Sequence, residues 1–169
     1  MEICLITGTS TGIGHATALH LARLGYKVYA SMRNAAKAGP LRERAAAENL
    51  PLVIETLDVS DNQSMLSCVQ RIIAAEGRID VLVNNAGLSS SSPIETYPED
   101  EHRAMFEANY WGAVKLTQAV LPSMCAHGRG AIVNISSLVG RLAWANQGAY
   151  CASKFAMEAF SEALAQEVA

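Results

Sequence analysis

The sequence predicts an α/β domain in which one parallel sheet carries helices on both faces. Two patterns carry that prediction. Short apolar, β-rich runs alternate with segments of ten or more residues at helical spacing, and the first such junction is a glycine-rich turn. Composition agrees. Half of the 169 residues are hydrophobic and 17% are charged, against about 25% in an average soluble protein, so the interior is large for the length.

Taken in order, Ile3 to Thr7 reads as a first strand, and Gly14 to Leu24 as a helix with Ala18, Leu21 and Ala22 on one face and Gly25 as its stop. Lys27 to Met32 reads as the second strand, Leu41 to Asn49 as a helix, and Pro51 to Leu57 as the third strand. Ser60 or Asp61 is then placed to cap a helix to about Ala75, with Met65, Leu66, Val69, Ile72 and Ile73 inward. Ile79 to Val83 is the fourth strand. Asn84 to Pro98 follows as a loop whose Ser89 to Pro93 stretch reads as a flexible connector. A long helix is expected over Glu99 to about Cys125, broken near Pro122. Ala131 to Ser136 is the fifth strand, and a last helix begins near Gly148. Apolar strands of this kind are buried on both faces, and in such sheets ligands bind beyond the carboxyl ends of the strands.

Several function classes are disfavoured. Thirteen basic and sixteen acidic residues give a net charge of −3 with no block of like charges, which argues against nucleic acid. No apolar run approaches the roughly 18 residues of a membrane span, and no charged leader precedes Ile3, so the expected compartment is the cytosol. Cys4, Cys68, Cys125 and Cys151 match neither a metal pattern nor a disulfide framework and are read as reduced thiols. His15, His20, His102 and His127 show no metal-ligand spacing, so no metal is expected.

Thr7 to Gly14 reads TGTSTGIG at a strand-to-helix junction. Glycines at 8, 12 and 14 allow a tight turn and close approach to a pyrophosphate, while the helix behind them offers free N–H groups and a positive dipole end. Dinucleotide binding is the expectation, with Gly8, Ser10, Gly12, Ile13 and Gly14 as its contacts.

At this point the chain resembles the short-chain dehydrogenases/reductases, whose TGxxxGxG turn differs in spacing from the GxGxxG of other Rossmann enzymes. The resemblance continues through Asp58-Val59 after strand three, Asn84-Asn85-Ala86-Gly87 after strand four, Asn109 in the long helix, Ser137 after strand five and Tyr150-x-x-x-Lys154 in the last helix. YCASKFAMEAF and VYASMR look most like the branch with 17β-hydroxysteroid and retinol dehydrogenases. The resemblance implies a single Rossmann-type, doubly wound domain over residues 1–169. Family members continue with a sixth strand, a substrate lid and a seventh strand, so this sequence is expected to be C-terminally truncated, with most substrate-recognising elements absent.

Tyr150 and Lys154, four apart on a helix, share one face. A tyrosine has a reference pKa of about 10, and a cation within about 4 to 6 Å favours its phenolate. Tyr150 would exchange the substrate proton as hydride moves, with a serine on the same substrate oxygen; the interval to Tyr150 favours Ser137 for that place over Ser136, which is then its structural neighbour. The resemblance implies that Asn109 holds a water linking Lys154 to solvent, and that Lys154 also binds the nicotinamide ribose. It places Asp58 and Val59 at the adenine and Asn85, Ala86 and Gly87 along the cofactor. At the end of strand two an acid selects NAD and an arginine the 2′-phosphate of NADP; Met32 then Arg33 stand there, so NADP is favoured over NAD. Arg33 as an exposed loop cation is the alternative. Trp144 either lines the pocket or packs elsewhere. The reaction implied is interconversion of a small-molecule secondary alcohol and ketone, in a homodimer or homotetramer; the rival is a non-catalytic nucleotide-binding module.

Overall fold

The computed structural model describes residues 1–168. Its order is β1 (Ile3–Ile6), α1 (Gly12–Arg23), β2 (Lys27–Met32), α2 (Gly39–Ala47), β3 (Leu52–Thr56), α3 (Asn62–Glu76), β4 (Val81–Asn84), α4 (Glu99–Phe106), α5 (Gly112–Ala126), β5 (Ala131–Asn134) and α6 (Gly148–Glu167). Short 3₁₀ turns precede α2, α4 and α6, and a π-helical turn, Glu107–Trp111, joins α4 to α5.

All five strands are parallel, in the order β3-β2-β1-β4-β5. Successive side chains of a strand point to opposite faces, and β1 is apolar on both. Ile3 and Leu5 join Met65, Cys68, Val69, Ile72, Leu116, Val120 and Met124 from α3 and α5 in one core. Cys4 and Ile6 join Ala18, Leu19, Ala22 and Leu41 from α1 and α2 in the other. Chain order runs outward from β1 in both directions, so β1 and β4 flank the switch point, and their carboxyl ends open the crevice where ligands bind in such sheets.

Asp61 caps α3, its carboxylate accepting the Gln63 and Ser64 N–H groups at 2.9 and 3.3 Å. The first helix starts at Gly12, two residues before the expected position, because the glycine turn itself supplies its first residues. The break expected at Pro122 does not occur: α5 runs through it to Ala126. Pro122 and Gln118, whose carbonyl loses its helical partner to the proline ring, are both exposed, so water can satisfy that carbonyl. The irregularity in the long helix lies instead at the π turn, where one extra residue per turn breaks the 3.6 period. The serine-rich connector is anchored at Ser92, whose N–H donates to the Asn146 carbonyl at 2.8 Å.

Candidate active site

The site is built where β1 and β4 end. The buried Thr7 hydroxyl accepts the N–H groups of Asn85 and Ala86 at 3.0 and 2.9 Å. In return the Asn85 amide donates to the Thr7 and Gly8 carbonyls at 2.8 and 3.1 Å. This reciprocal clasp locks the glycine turn to the segment after β4. A β-carbon on Gly14 would lie 2.4 Å from Asn85 Nδ2 and 2.5 Å from the Gly8 carbonyl, and one on Gly8, whose φ is +70°, would lie 2.8 Å from Ala86 Cα. Glycine is required at both by contact.

Beside the clasp lies a cleft of about 640 Å³ lined by Gly8, Ser10, Thr11, Arg33, Asp58, Val59 and Asn85 to Leu88. Gly12 adopts φ +61° with open space where a side chain would stand, and Ile13 is 63% exposed at the head of α1. Thr9 is buried and ties the turn to β2, its hydroxyl donating to the Ser31 carbonyl at 3.0 Å. Asp58 Oδ1 accepts the Ser60 N–H and hydroxyl at 3.0 and 2.6 Å. Burial raises the Asp58 carboxyl, but those bonds and the Arg33 charge outweigh it and hold the group below its usual range. Arg33 is exposed at the end of β2, while Met32 is buried.

Gly87 is where distant parts of the chain meet. A β-carbon there would stand 3.0 Å from Asn109 Oδ1 and 3.8 Å from Lys154 Nζ. Asn109 sits in the π turn, buried. Its Oδ1 accepts the Leu88 N–H at 2.7 Å, and its Nδ2 donates to the Leu88 carbonyl at 2.9 Å and to Ser153 Oγ at 3.0 Å. Both amide protons are therefore spent on the protein. Lys154 is 6% exposed and donates to the Ile135 carbonyl at 2.8 Å. Burial lowers its ammonium pKa. Lys154 Nζ lies 5.9 Å from the centroid of the Tyr150 ring, which is half-buried.

Ser137 caps the 3₁₀ turn before α6, its hydroxyl accepting the Val139 N–H at 3.4 Å. Ser136 Oγ is enclosed without a hydrogen-bond partner and lies where a β-carbon on Gly140 would approach to 2.7 Å. Trp144 is 54% exposed in the segment between Ser137 and Tyr150. Sequence reasoning missed Thr7, Thr9 and Ser153 as members of the site. Each lies inside a quoted motif, but their hydroxyls matter through partners 22 to 79 residues away, which no local pattern shows.

A five-stranded parallel sheet with a glycine turn at its switch point defines a Rossmann-type fold class. The chain belongs to the short chain dehydrogenase family, whose model matches residues 2–169. It is 43% identical over 169 residues to retinol dehydrogenase 8 of Bos taurus, covering 97% of this chain and 53% of that protein. It is 40% identical to 17-beta-hydroxysteroid dehydrogenase type 1 of Homo sapiens, covering 96% and 51%. The crystal structure of a metagenomic short-chain oxidoreductase in complex with NADP superposes with a TM-score of 0.95 at 33% identity, over 99% of this chain and 76% of that one. The chain thus spans about half the length of these curated relatives. No helix among the described residues is long and apolar enough to cross a membrane.

Proposed function

We propose that this protein is an NADP(H)-dependent oxidoreductase that interconverts a lipophilic secondary alcohol and its ketone, with Tyr150 as general acid and base. The observation that carries the reading is the convergence of Asn109 and Lys154 on Gly87, which lines the glycine-turn cleft. The cleft fits a dinucleotide: its volume is about 640 Å³, and its glycine turn leaves open space at Gly12 beside free N–H groups at the head of α1. The Gly8 to Gly14 turn would hold the pyrophosphate, Asp58 and Val59 the adenine end, Arg33 the 2′-phosphate, and Asn85 to Gly87 with Lys154 the nicotinamide ribose. When bound, the cofactor supplies a hydride acceptor in one direction and a hydride donor in the other.

Tyr150 in its phenolate form takes the hydroxyl proton while the carbinol C–H bond breaks with its electron pair and the carbonyl forms; in reverse, the phenol returns the proton. Lys154 Nζ lies 5.9 Å from the Tyr150 ring centroid and sets a buried cation beside that ring. Ser137 donates a hydrogen bond to the same substrate oxygen and stabilises charge developing there. Asn109, whose side chain bonds Leu88 and Ser153, holds the π turn in place and would hold the water that links Lys154 to solvent.

A lipophilic substrate is supported by exposed Leu138, Leu142 and Trp144 between Ser137 and Tyr150, and by Leu88 and Ile94 after β4. The relatives named for retinol and a 17-beta-hydroxysteroid point the same way. A homodimer or homotetramer is part of the proposal, with exposed Trp111 and Phe155 as its apolar contacts.

The test follows nicotinamide absorbance over a panel of lipophilic secondary alcohols and ketones, with Tyr150→Phe as control. Expected is turnover with at least one, lowered by about 100-fold or more in the variant, the typical worth of a general acid or base. Nucleotide binding without Tyr150-dependent turnover on any substrate would replace this reading by a non-catalytic nucleotide-binding module.

A further inference from the structure

We propose that Ser153 is a positioning residue, which sets the turn of α6 that bears Tyr150 and Lys154 through a hydroxyl bridge to Asn109; this rests on the oxidoreductase reading above. Ser153 is fully buried. Its hydroxyl has one proton, given to the Tyr150 carbonyl at 2.8 Å, and it accepts the Asn109 amide at 3.0 Å. It thereby joins the π turn to the first turn of α6 across 44 residues of chain.

Two features separate this bridge from an ordinary helix serine. A serine that bonds a carbonyl one turn back often bends its helix, and the carbonyl bonded here is that of Tyr150 itself. The bridge is also closed at both ends. Asn109 holds Leu88 by two bonds with the rest of its amide, so Ser153 is tied to the loop that follows Gly87 and to the strand end facing the cleft. Alanine would match the serine in volume but could neither accept from Asn109 nor donate to Tyr150. Ser153 touches no reactant; it acts through the direction in which Tyr150 and Lys154 project. The Gly87 backbone and the Ile135 carbonyl, packed on Lys154 from other elements, do not titrate, and Tyr150 on its own helix is the titratable group that faces it.

The experiment compares wild type, Ser153→Ala, Asn109→Ala and the double variant. The readouts are kcat, NADPH affinity by fluorescence, the pH profile of kcat, and the NMR titration of Lys154 in protein carrying ¹³C-labelled lysine. Expected in Ser153→Ala are a fall in kcat of about tenfold or more, NADPH affinity within about threefold, and a pH profile displaced by about half a unit or more. The double variant should lose no more than the worse single one, because both break the same bridge. The Lys154 resonance should titrate at a different pH in Ser153→Ala than in wild type. A superimposable pH profile with multiplicative losses would overturn the proposal and leave Ser153 as packing alone. Absence of turnover in wild type would instead count against the oxidoreductase reading. The Lys154 titration then decides Ser153 by itself: a displaced midpoint supports the bridge, and an unmoved one overturns it. Ser153→Thr, which keeps the hydroxyl, should restore the wild-type profile, and a folded Thr variant that behaves like alanine would overturn the bridge.

Discussion

Replacing Gly14 by alanine tests the clasp between the glycine turn and the segment after β4. The new methyl would sit 2.4 Å from Asn85 Nδ2 and 2.5 Å from the Gly8 carbonyl. The backbone oxygen cannot retreat without opening the turn, and Asn85 cannot rotate away without losing bonds to the Thr7 and Gly8 carbonyls. Forcing an extra methyl into a packed site costs about 1 to 3 kcal/mol, and losing a hydrogen bond costs about 1 more. Alanine recovers about 0.5 to 1 kcal/mol through its better helix propensity and stiffer unfolded chain. The net loss is then about 2 kcal/mol, and with a urea slope near 2 kcal/mol/M the unfolding midpoint should fall by about 1 M. Gly12→Ala is the internal control: its methyl meets nothing, so only the left-handed backbone penalty of about 1 kcal/mol applies. Urea denaturation followed by circular dichroism measures both. A Gly14→Ala midpoint equal to wild type, or higher than that of Gly12→Ala, would refute the contact argument.

Asp80 is buried and accepts the Ile3 N–H, Arg78 and Arg129 at 2.8, 3.0 and 3.2 Å. Burial raises its carboxyl, yet those donors outweigh it and hold it below its usual value, so its stabilisation is present above about pH 4 and is lost as pH falls through the folded value. Asp80→Asn should cost about 1 to 3 kcal/mol at neutral pH and flatten the acid slope of stability; urea midpoints at neutral and acid pH check this. Burial pushes the Cys4 and Cys68 thiols up to about 12 and Cys151 is also buried, whereas Cys125 is exposed. A thiol reagent should therefore modify Cys125 alone in the folded protein and all four cysteines in urea; fast modification of a second thiol in the fold would contradict this. Arg33→Asp should weaken NADPH binding by about 10-fold or more, the worth of one charged hydrogen bond, while improving NADH binding. Unchanged NADPH affinity in a titration would show Arg33 to be an exposed loop cation.

Much of the fold was legible because its signals are local. The central strand β1 is apolar on both faces, and the glycine turn marks the first strand-to-helix junction by itself. Less legible was the long helix. Pro122 reads as a breaker because its ring removes a hydrogen bond, but its cost depends on whether the Gln118 carbonyl can reach water, and exposure is a tertiary property. The π turn gave no local cue either: Glu107 to Trp111 contains ordinary helix residues, and the extra residue there is accommodated where Gly112 packs against Val59, whose carbonyl would meet a β-carbon at 2.6 Å.

The site divides the same way. Spacing alone placed Tyr150 and Lys154 on one helix face and the three glycines at a helix start, because those relations follow from helix geometry over a few residues. What only the tertiary structure decided is how the pieces are held: Thr7 and Asn85 clasping each other across 78 residues, Asn109 spent on Leu88 and Ser153, and Lys154 buried with its ammonium on Ile135. Hydrogen-bond partners are chosen by the packing of strand ends and helix starts, and that packing is settled by burial of both sheet faces, a quantity summed over the whole chain.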